Sequence, residues 1–399
     1  MDASESMPKT DAIGAVLPPA PSQSGRPLQA LLSYSDTNNL GDEIQSLAVE
    51  RFLKDPPTLI DRDSLSTYIP SDLIKRKIVL NGWFSGAPEN WPPSEFLDPL
   101  IVAMHISWSA AYHSGLRAGD VMLAEPFAQY LRHYGPVGAR DLSTVRFLRR
   151  ANIECYFSGC ATLTLPRSTE ERDEQLLVLN DLPPAVASSI EARTRKQVIE
   201  TSHTGFPNSD PERRFQRARE LLALYRRAGC VVTTRLHCAL PCMAMGTPVL
   251  MIDTATDQYR FEGLSELVHH CSLADFLAGK APFDHEHPPP PLDRHFDLAD
   301  ALADRIGKFV ASTQGTGLPY PLSDRDLLKG AKLVQQLLVQ RIQSDRRQRE
   351  QVVLAGAKLL ETLSAIADLD RAEALTEEQR AALTAILQAA ASLKIAIAP

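Results

Sequence analysis

The clearest chemical signal in the sequence is the segment 229–252, in which Arg235 and His237 stand between two apolar runs. Residues 230–234 have the pattern of a buried strand, and residues 236–245 have the pattern of a short apolar helix. Arg235 and His237 therefore lie where the strand ends and the helix begins. Open α/β sheets bind their ligands beyond the carboxyl ends of the strands, so both side chains are candidates for a binding site.

The start of this helix predicts an anion site. It offers unpaired backbone N–H groups and a partial positive charge, and Arg235 adds a permanently charged guanidinium that can grip a phosphate or a carboxylate with two hydrogen bonds. His237 adds a proton carrier with an ordinary pKa of roughly 6.5. The alternative is a histidine that only packs at the helix start. Gly246 is predicted to end the helix at its C′ position.

Composition narrows the choice of partners. The chain has 399 residues and a formal net charge of -7, without the basic face that nucleic-acid binding needs, so we expect no nucleic-acid partner. An anionic substrate must then be held by a few placed cations. The amino terminus lacks a basic region, and no run approaches the roughly 20 apolar residues of a membrane span. We expect a cytoplasmic protein whose six cysteines are reduced thiols.

Alternating strand and helix patterns predict an α/β protein of two Rossmann-like domains that face each other across a cleft, followed by a C-terminal helical extension. Residues 1–28 are rich in Pro, Ser, Ala and Gly, and we expect a disordered leader there. The first domain is predicted at 29–167, with residues 119–124 as one of its strands. The second domain is predicted at 175–283.

The remainder of the chain is predicted to be a connection and a helical tail. Residues 284–322 begin with a Pro-rich stretch, typical of a linker and connecting segment. His285, His287 and His295 could suggest a metal, but the flanking prolines and the absence of cysteine favour a surface tract over a zinc site. Leucine spacing from 323 to 399 predicts a helical extension. It could pack on the core or pair with a second protomer in a homodimer.

Three motifs in order give a family resemblance. They are Asn-Asn-Leu-Gly-Asp at 38–42, Gly-Ala-Arg-Asp at 138–141, and Arg-Leu-His at 235–237 with Gly-Thr-Pro-Val after the helix. Together they resemble the signature of the polysaccharide pyruvyl transferases over about residues 30–265. Many members carry an acidic residue in the strand after the Arg-Asp motif. This chain departs from them, because its residues 157–163 are Phe-Ser-Gly-Cys-Ala-Thr-Leu. We place the chain in a subgroup of the family.

The resemblance implies a GT-B-like fold and an enzyme that moves the enolpyruvyl unit of phosphoenolpyruvate onto sugar hydroxyls of a polysaccharide or its precursor. The product would be a pyruvate ketal, with release of phosphate and without a metal or other cofactor. The resemblance further implies that Arg235, Leu236 and His237 meet the donor and that Arg140 reaches in from the first domain. We expect protonated His237 to act as general acid toward the methylene carbon or the leaving phosphate.

Four further residues are candidates for the acceptor side of the cleft. Asn38 and Asp42 stand in the loop that enters the first helix, although Asp42 could simply cap that helix. Glu262 follows the last predicted strand of the second domain. His203 ends another strand on the same side, and a satisfied loop histidine is the alternative there.

Two other functions fit the same architecture. A GT-B-type glycosyltransferase could use the arginine at the helix start to hold the diphosphate of a nucleotide sugar. A non-catalytic carbohydrate-binding protein could have kept the fold. The partners expected from the first interpretation are phosphoenolpyruvate and a sugar or lipid-linked saccharide, with at most peripheral association with a membrane.

Overall fold

The structure is a computed structural model that describes residues 28–369 except 85, 110, 112–113, 207–209, 255–257 and 314. The predicted disordered leader, apart from residue 28, lies outside the described residues. So does the part of the predicted helical extension after residue 369. The described chain is a mixed α/β structure with two parallel sheets, as the strand and helix patterns predict.

The first sheet has six parallel strands in the order β2-β1-β3-β4-β5-β6. Its strands are β1 (Leu28–Ser33), β2 (Thr58–Asp61), β3 (Arg76–Trp83), β4 (Leu97–His105), β5 (Val137–Ala139) and β6 (Cys155–Phe157). Its helices are α1 (Gly41–Glu50), α2 (Ala118–Met122), α3 (Phe127–His133) and α4 (Leu142–Arg150). The chain leaves β1 toward one edge and returns at β3 toward the other, so the strand order reverses between these two strands.

The second sheet has five parallel strands in the order β11-β10-β9-β7-β8. Its strands are β7 (Asp173–Asn180), β8 (Gln197–Thr201), β9 (Ala228–Thr233), β10 (Val249–Asp253) and β11 (His269–Ser272). Its helices are α5 (Pro184–Glu191), α6 (Pro211–Arg227), α7 (Leu236–Met245) and α8 (Leu273–Leu277). The order reverses between β7 and β9, which creates a crevice at the carboxyl ends of these two strands.

Local signals set the ends of the helices that border this crevice. Asp210 caps α6 by accepting a hydrogen bond from the backbone N–H of Glu212 at 3.0 Å, and Pro211 occupies the first helical position. Gly246 ends α7 with φ of 85°, as predicted. A residue with a Cβ would be strained there, so the glycine fixes the point at which the chain turns back into β10.

Two predicted elements differ from the structure. Residues 119–124, predicted as a strand, lie mainly in the short helix α2, whose Ala118, Val121 and Met122 are buried. Its apolar run is too short for periodicity to separate a strand from a buried helix. Residues 284–322, predicted as a linker and connecting segment, contain the helix α9 (Phe296–Ala311), which is amphipathic and packs its buried face into the core.

The helical extension begins with α10 (Asp324–Leu369), a single helix of 46 residues over its described length. Leu333, Val334, Leu337 and Leu338 of this helix pack against the core of the first sheet. The start of the extension thus packs on the core, one of the two alternatives that the sequence leaves open. Pairing with a second protomer stays a prediction.

One hydrophobic cluster runs through both halves of the structure. It includes Leu31, Ile44 and Val79 from the first sheet and its helix, and Val178 and Leu240 from the second. Since these side chains are almost completely buried together, the two sheets share a core. The crevices at the two reversal points are therefore held at a fixed distance by packing.

A buried ion pair crosses between the halves beside this core. Arg214 of α6 donates from Nε and Nη2 to the two carboxylate oxygens of Glu43 on α1, at 2.5 and 3.0 Å, and from Nη1 to the carbonyl of Thr37 at 2.8 Å. Both side chains are 1% exposed. Arg214 thereby ties the second half to the loop that carries the first sequence motif.

Removing this guanidinium should destabilise the protein strongly. Arg214→Ala leaves the Glu43 carboxylate buried without its partner, and we expect a loss of about 3–5 kcal/mol in the free energy of unfolding. Arg213→Ala is the matched control on the same helix, because the Arg213 side chain is 73% exposed, and it should change stability by less than about 0.5 kcal/mol. Urea unfolding of the three proteins measures both effects. Equal stability of the two variants would contradict a structural role for this pair.

Candidate active site

Arg235 occupies the position between β9 and α7, at the strand reversal of the second sheet. Its backbone is extended (φ −101°, ψ 125°), and no side chain caps the helix. The first intrahelical hydrogen bonds run from the N–H groups of Cys238 and Ala239 to the Arg235 carbonyl. The preceding N–H groups of Leu236 and His237 lie at the positive end of the helix dipole, which suits an anion.

Asp181 holds the Arg235 side chain. The carboxylate of Asp181 accepts from Arg235 Nε at 2.9 Å and from the backbone N–H of His203 at 2.9 Å. Asp181 directly follows β7, on the other side of the reversal point, and has φ of 50°. The Arg235 side chain remains 39% exposed, so the far end of the guanidinium can still reach a ligand.

Arg140 comes from the first half, between β5 and α4. Its backbone N–H donates to the Met104 carbonyl at 2.8 Å, which extends the pairing of β5 with β4 by one residue. The next residue, Asp141, caps α4 by accepting from the Thr144 N–H at 2.9 Å. Arg140 is almost completely buried, at 1% exposure. The strand and the cap together fix the point from which this guanidinium extends.

These side chains surround a cavity of about 310 Å³ between the two halves. Five of the residues predicted from the sequence line it, and none of the ten lining residues carries a carboxylate. The lining residues are Asn39, Arg140, His203, Thr234, Arg235, Leu236, His237, Thr254, Arg260 and Phe261. The cavity combines three guanidinium groups with two imidazoles.

Three predicted site residues lie outside this cavity. Asn38 accepts from the Gly205 N–H at 2.8 Å and so links loops of the two halves. Glu262, predicted in preference to its neighbours, pairs with Arg146 of α4 at 2.6 Å instead. Arg260 and Phe261 of the same segment line the cavity, and Glu262 does not.

Asp42 is buried in the first turn of α1, two residues after the N-cap position, which Leu40 occupies. The alternative of a helix cap is therefore wrong. Asp42 lies 3.7 Å from Arg62 Nη1 and accepts from Gln45 Nε2 at 3.3 Å. Burial raises the pKa of the Asp42 carboxyl, and Arg62 and Arg140 oppose that rise. Asp42 therefore lies close to Arg62 and Arg140 but does not line the cavity.

Sequence reasoning missed Asn39 and Arg260 in the cavity wall and Gly41 behind it. A Cβ on Gly41 would lie 3.0 Å from both Cβ and Nδ1 of His237, so only glycine lets α1 and α7 begin this close together. The guanidinium of Arg260 lies 5.7 Å above the Trp83 ring. Gly41 and Asn39 stand within the first motif and could have been found there, whereas Arg260 has no local signal.

The imidazoles in the cavity wall are neutral near pH 7. Burial lowers the pKa of His237 well below its ordinary value, and Arg140, His203 and Arg260 lower it further. Burial also lowers the pKa of His203 to about 4; Arg235 adds to this effect and Asp181 opposes it. His203 Nε2 pairs with the Tyr225 hydroxyl at 2.8 Å, while His237 Nε2 has no hydrogen-bond partner among the described residues. Fixed positive charge thus resides on the arginines.

This arrangement is suited to a small, multiply charged anion. Arginines from both halves and a helix start can neutralise its charge, and a neutral imidazole can take up and return a proton. Within the described residues, no group of three or more His, Cys, Asp or Glu side chains is placed to hold a metal ion.

The family model for polysaccharide pyruvyl transferase matches residues 39–256, which is more than half of the chain and includes the cavity residues from Asn39 to Thr254. The chain belongs to the polysaccharide pyruvyl transferase family. This confirms the resemblance drawn from the three sequence motifs. No curated protein matches the chain.

Membership of the polysaccharide pyruvyl transferase family indicates a transferase of pyruvyl groups in polysaccharide biosynthesis. The family match reaches from the loop before α1 to the segment after β10, so it covers the strand reversal of the second sheet and the loop between β1 and α1. Among the described helices, none is both long enough and apolar enough to cross a bilayer.

The buried imidazole of His203 predicts a pH dependence of stability. Its pKa is about 4 in the folded protein and roughly 6.5 when unfolded, so its contribution is present above pH 6.5 and lost as the pH falls through about 4. Replacing it in His203→Gln should flatten the decline, by about 2 kcal/mol between pH 6.5 and 4.5. Urea unfolding at a series of pH values measures the slope.

His287→Gln is the control for this pH series, because the His287 side chain is 89% exposed and does not line the cavity. It should keep the slope of the unaltered protein. If His203→Gln and the unaltered protein lost stability in parallel between pH 6.5 and 4.5, the buried neutral state of His203 would be ruled out.

Proposed function

We propose that this protein transfers the enolpyruvyl unit of phosphoenolpyruvate to hydroxyls of a saccharide, forming a pyruvate ketal and releasing phosphate. The observation that carries the proposal is the cavity itself, where Arg140, Arg235 and Arg260 converge with no carboxylate in the wall. Phosphoenolpyruvate carries its carboxylate and its phosphate on the same enol carbon. Three guanidinium groups match that charge, and a ligand of lower charge would leave them poorly compensated in a buried space.

Charge compensation by the donor would also prepare His237 for catalysis. Arg140 and Arg260 help to keep the His237 imidazole neutral by lowering its pKa. A bound trianion would oppose these cations and raise the His237 pKa, because an opposite charge nearby favours the protonated form. The general acid would then be formed in the donor complex and be absent from the empty enzyme.

His237 gives a proton to the methylene carbon of the donor, which becomes a methyl group, and positive charge develops on the adjacent carbon. A saccharide hydroxyl adds to that carbon and loses its proton. Phosphate departs with the electron pair of the carbon–oxygen bond, and a second hydroxyl closes the ketal. One of the two hydroxyl protons returns to His237, and the other protonates the phosphate. In the alternative, His237 protonates the leaving phosphate, one saccharide hydroxyl supplies the proton for the methylene carbon, and the other hydroxyl proton restores His237.

The same proposal includes the finer features implied by the family. They are a GT-B-like arrangement of the two sheets, a saccharide or lipid-linked saccharide acceptor, and chemistry without a cofactor. The three arginines support the last point, since they can supply the positive charge that a divalent cation often supplies to phosphate chemistry.

Donor identity can be tested without knowing the acceptor. Calorimetric titration should show binding of phosphoenolpyruvate and little response to nucleotide sugars, and Arg235→Gln should weaken donor binding at least tenfold. Arg226→Gln, near the end of α6, is the matched control with unchanged binding. Incubation with a panel of lipid-linked and nitrophenyl glycosides should then yield a pyruvyl mass gain with stoichiometric phosphate. Tight binding of nucleotide sugars, without binding of phosphoenolpyruvate, would favour the glycosyltransferase alternative.

His237→Gln tests the general acid. Glutamine is similar in size but carries no transferable proton, so turnover should fall by roughly 100-fold or more while donor affinity stays within a few-fold. His270→Gln, on β11 and away from the cavity, should retain full turnover. Phosphate release and calorimetry give the two quantities. Normal turnover in His237→Gln would refute the assignment.

A further inference from the structure

A third imidazole lies in the first half, behind the cavity wall. His105 is the last residue of β4, and its Nδ1 lies 2.5 Å from Oδ2 of Asp141. Both side chains are fully buried. His105 belongs to none of the three sequence motifs, and it does not line the cavity, yet its partner is the residue next to Arg140.

The protonation states of this pair are set by their surroundings. Burial, aided by Arg140, lowers the pKa of His105 to about 4, so the ring is neutral. Burial acts to raise the pKa of Asp141, but His105, Arg140 and Ser143 outweigh it and hold that pKa well below its usual range. His105 therefore donates its Nδ1–H to an ionised carboxylate.

The two carboxylate oxygens of Asp141 have separate tasks. Oδ1 accepts from the Ser143 hydroxyl at 2.6 Å and from the Thr144 N–H at 2.9 Å, which caps α4. Oδ2 accepts from His105 and lies 3.6 Å from Nε of Arg140, beyond hydrogen-bond distance. Nε of Arg140 is buried and has no hydrogen-bond partner among the described residues. Asp141 is thus close enough to attract the guanidinium without taking its donors.

We propose that His105 is a positioning residue that occupies Oδ2 of Asp141 and keeps this carboxylate from closing on Arg140, so that the guanidinium remains available to an anion in the cavity. Without the His105 donor, Oδ2 would be left unsatisfied in a buried site, and the nearest cation is Arg140. A closed Asp141–Arg140 pair would consume hydrogen-bond donors and charge that the anion needs. The inference rests on the proposed function only in assuming that the cavity binds an anion.

Substitutions at His105 can separate this role from simple packing. In His105→Asn the amide nitrogen is attached to Cγ, as Nδ1 is in histidine, so it can donate to Oδ2. In His105→Gln the amide is one bond further away, and His105→Ala has no donor. We expect Ala and Gln to weaken binding of phosphoenolpyruvate and of inorganic phosphate roughly tenfold, the size of one charge-assisted hydrogen bond. His105→Asn should stay within threefold of the unaltered protein.

A second substitution tests the path through Asp141. Asparagine is also a good helix cap, so Asp141→Asn should preserve α4 while removing the charge that would close on Arg140. Combining it with His105→Gln should therefore recover most of the lost anion affinity, which a double-mutant cycle detects as coupling between the two positions. Independent, additive losses would overturn the proposal.

The remaining outcomes are equally decisive. If His105→Asn binds anions as weakly as His105→Gln, or if both bind normally, the positioning role is wrong. Should His105→Ala fail to fold, the Asn and Gln variants still provide the comparison, with unfolding midpoints as the check. Binding of phosphate without binding of phosphoenolpyruvate would sink the proposed function while leaving the His105 comparison intact. An unaltered protein that binds neither anion would refute both.

Discussion

Three arginine side chains converge on one small cavity, and holding like charges together in a buried space is the constraint that the surrounding structure has to satisfy. A different neighbouring group partly compensates the charge of each arginine. Asp181 binds Arg235, Asp141 stands near Arg140, and the face of Trp83 lies below Arg260. None of these partners lines the cavity, so positive charge faces inward and its compensation stays behind the wall. An anionic ligand can then supply the remaining compensation.

The constraint also explains why the two halves are joined so firmly. Arg140 starts from the first sheet and Arg235 from the second, so their separation depends on the interface between the halves. A shared apolar core and the buried Arg214–Glu43 pair set that separation. The close contact of Gly41 with His237 sets the separation of the two helix starts. In low-dielectric surroundings the repulsion between the guanidinium groups depends strongly on their separation. A tightly packed interface between the halves keeps that separation constant.

Sequence reasoning found the parts of the site that have a local cause. Arg235 and His237 were predicted because a buried strand, a helix start and Gly246 follow one another within a few residues. Arg140 and the chain's family came from motifs. Arg260 and His105 could not be predicted in this way, because their roles depend on tertiary structure. Arg260 lines the cavity because of the path of the segment after β10. His105 at the end of β4 pairs with Asp141 at the start of α4, 36 residues later in the sequence. Glu262 shows the limit of prediction from local sequence. Which of the side chains at 260–262 face the cavity depends on the path of the chain, and the sequence pattern does not reveal that path.

The fold was predictable to a similar degree for a similar reason. Parallel strands buried on both faces leave long apolar runs, and most strands were recognised by them. The run at 119–124 is equally apolar but forms α2, because its burial comes from tertiary contacts and not from sheet pairing. The helix α9 was not predicted, because the Pro-rich stretch before it favoured a linker over the whole of 284–322. The spacing of Leu302, Ile306 and Val310 in α9 is nevertheless helical. In both cases neighbouring elements decide what the local pattern leaves open.

The protonation states connect the fold to the proposed chemistry. An imidazole that carried its proton in the empty cavity would add to the repulsion among the arginines, and burial together with those arginines prevents this. A bound, multiply charged anion would oppose these effects and favour the proton, because an opposite charge nearby stabilises the protonated ring. Fixed arginines and a titrating histidine therefore have complementary tasks. Under the proposed function, the arginines would select the charge of the ligand and the histidine would respond to its arrival, so that donor binding and formation of the acid would be a single event.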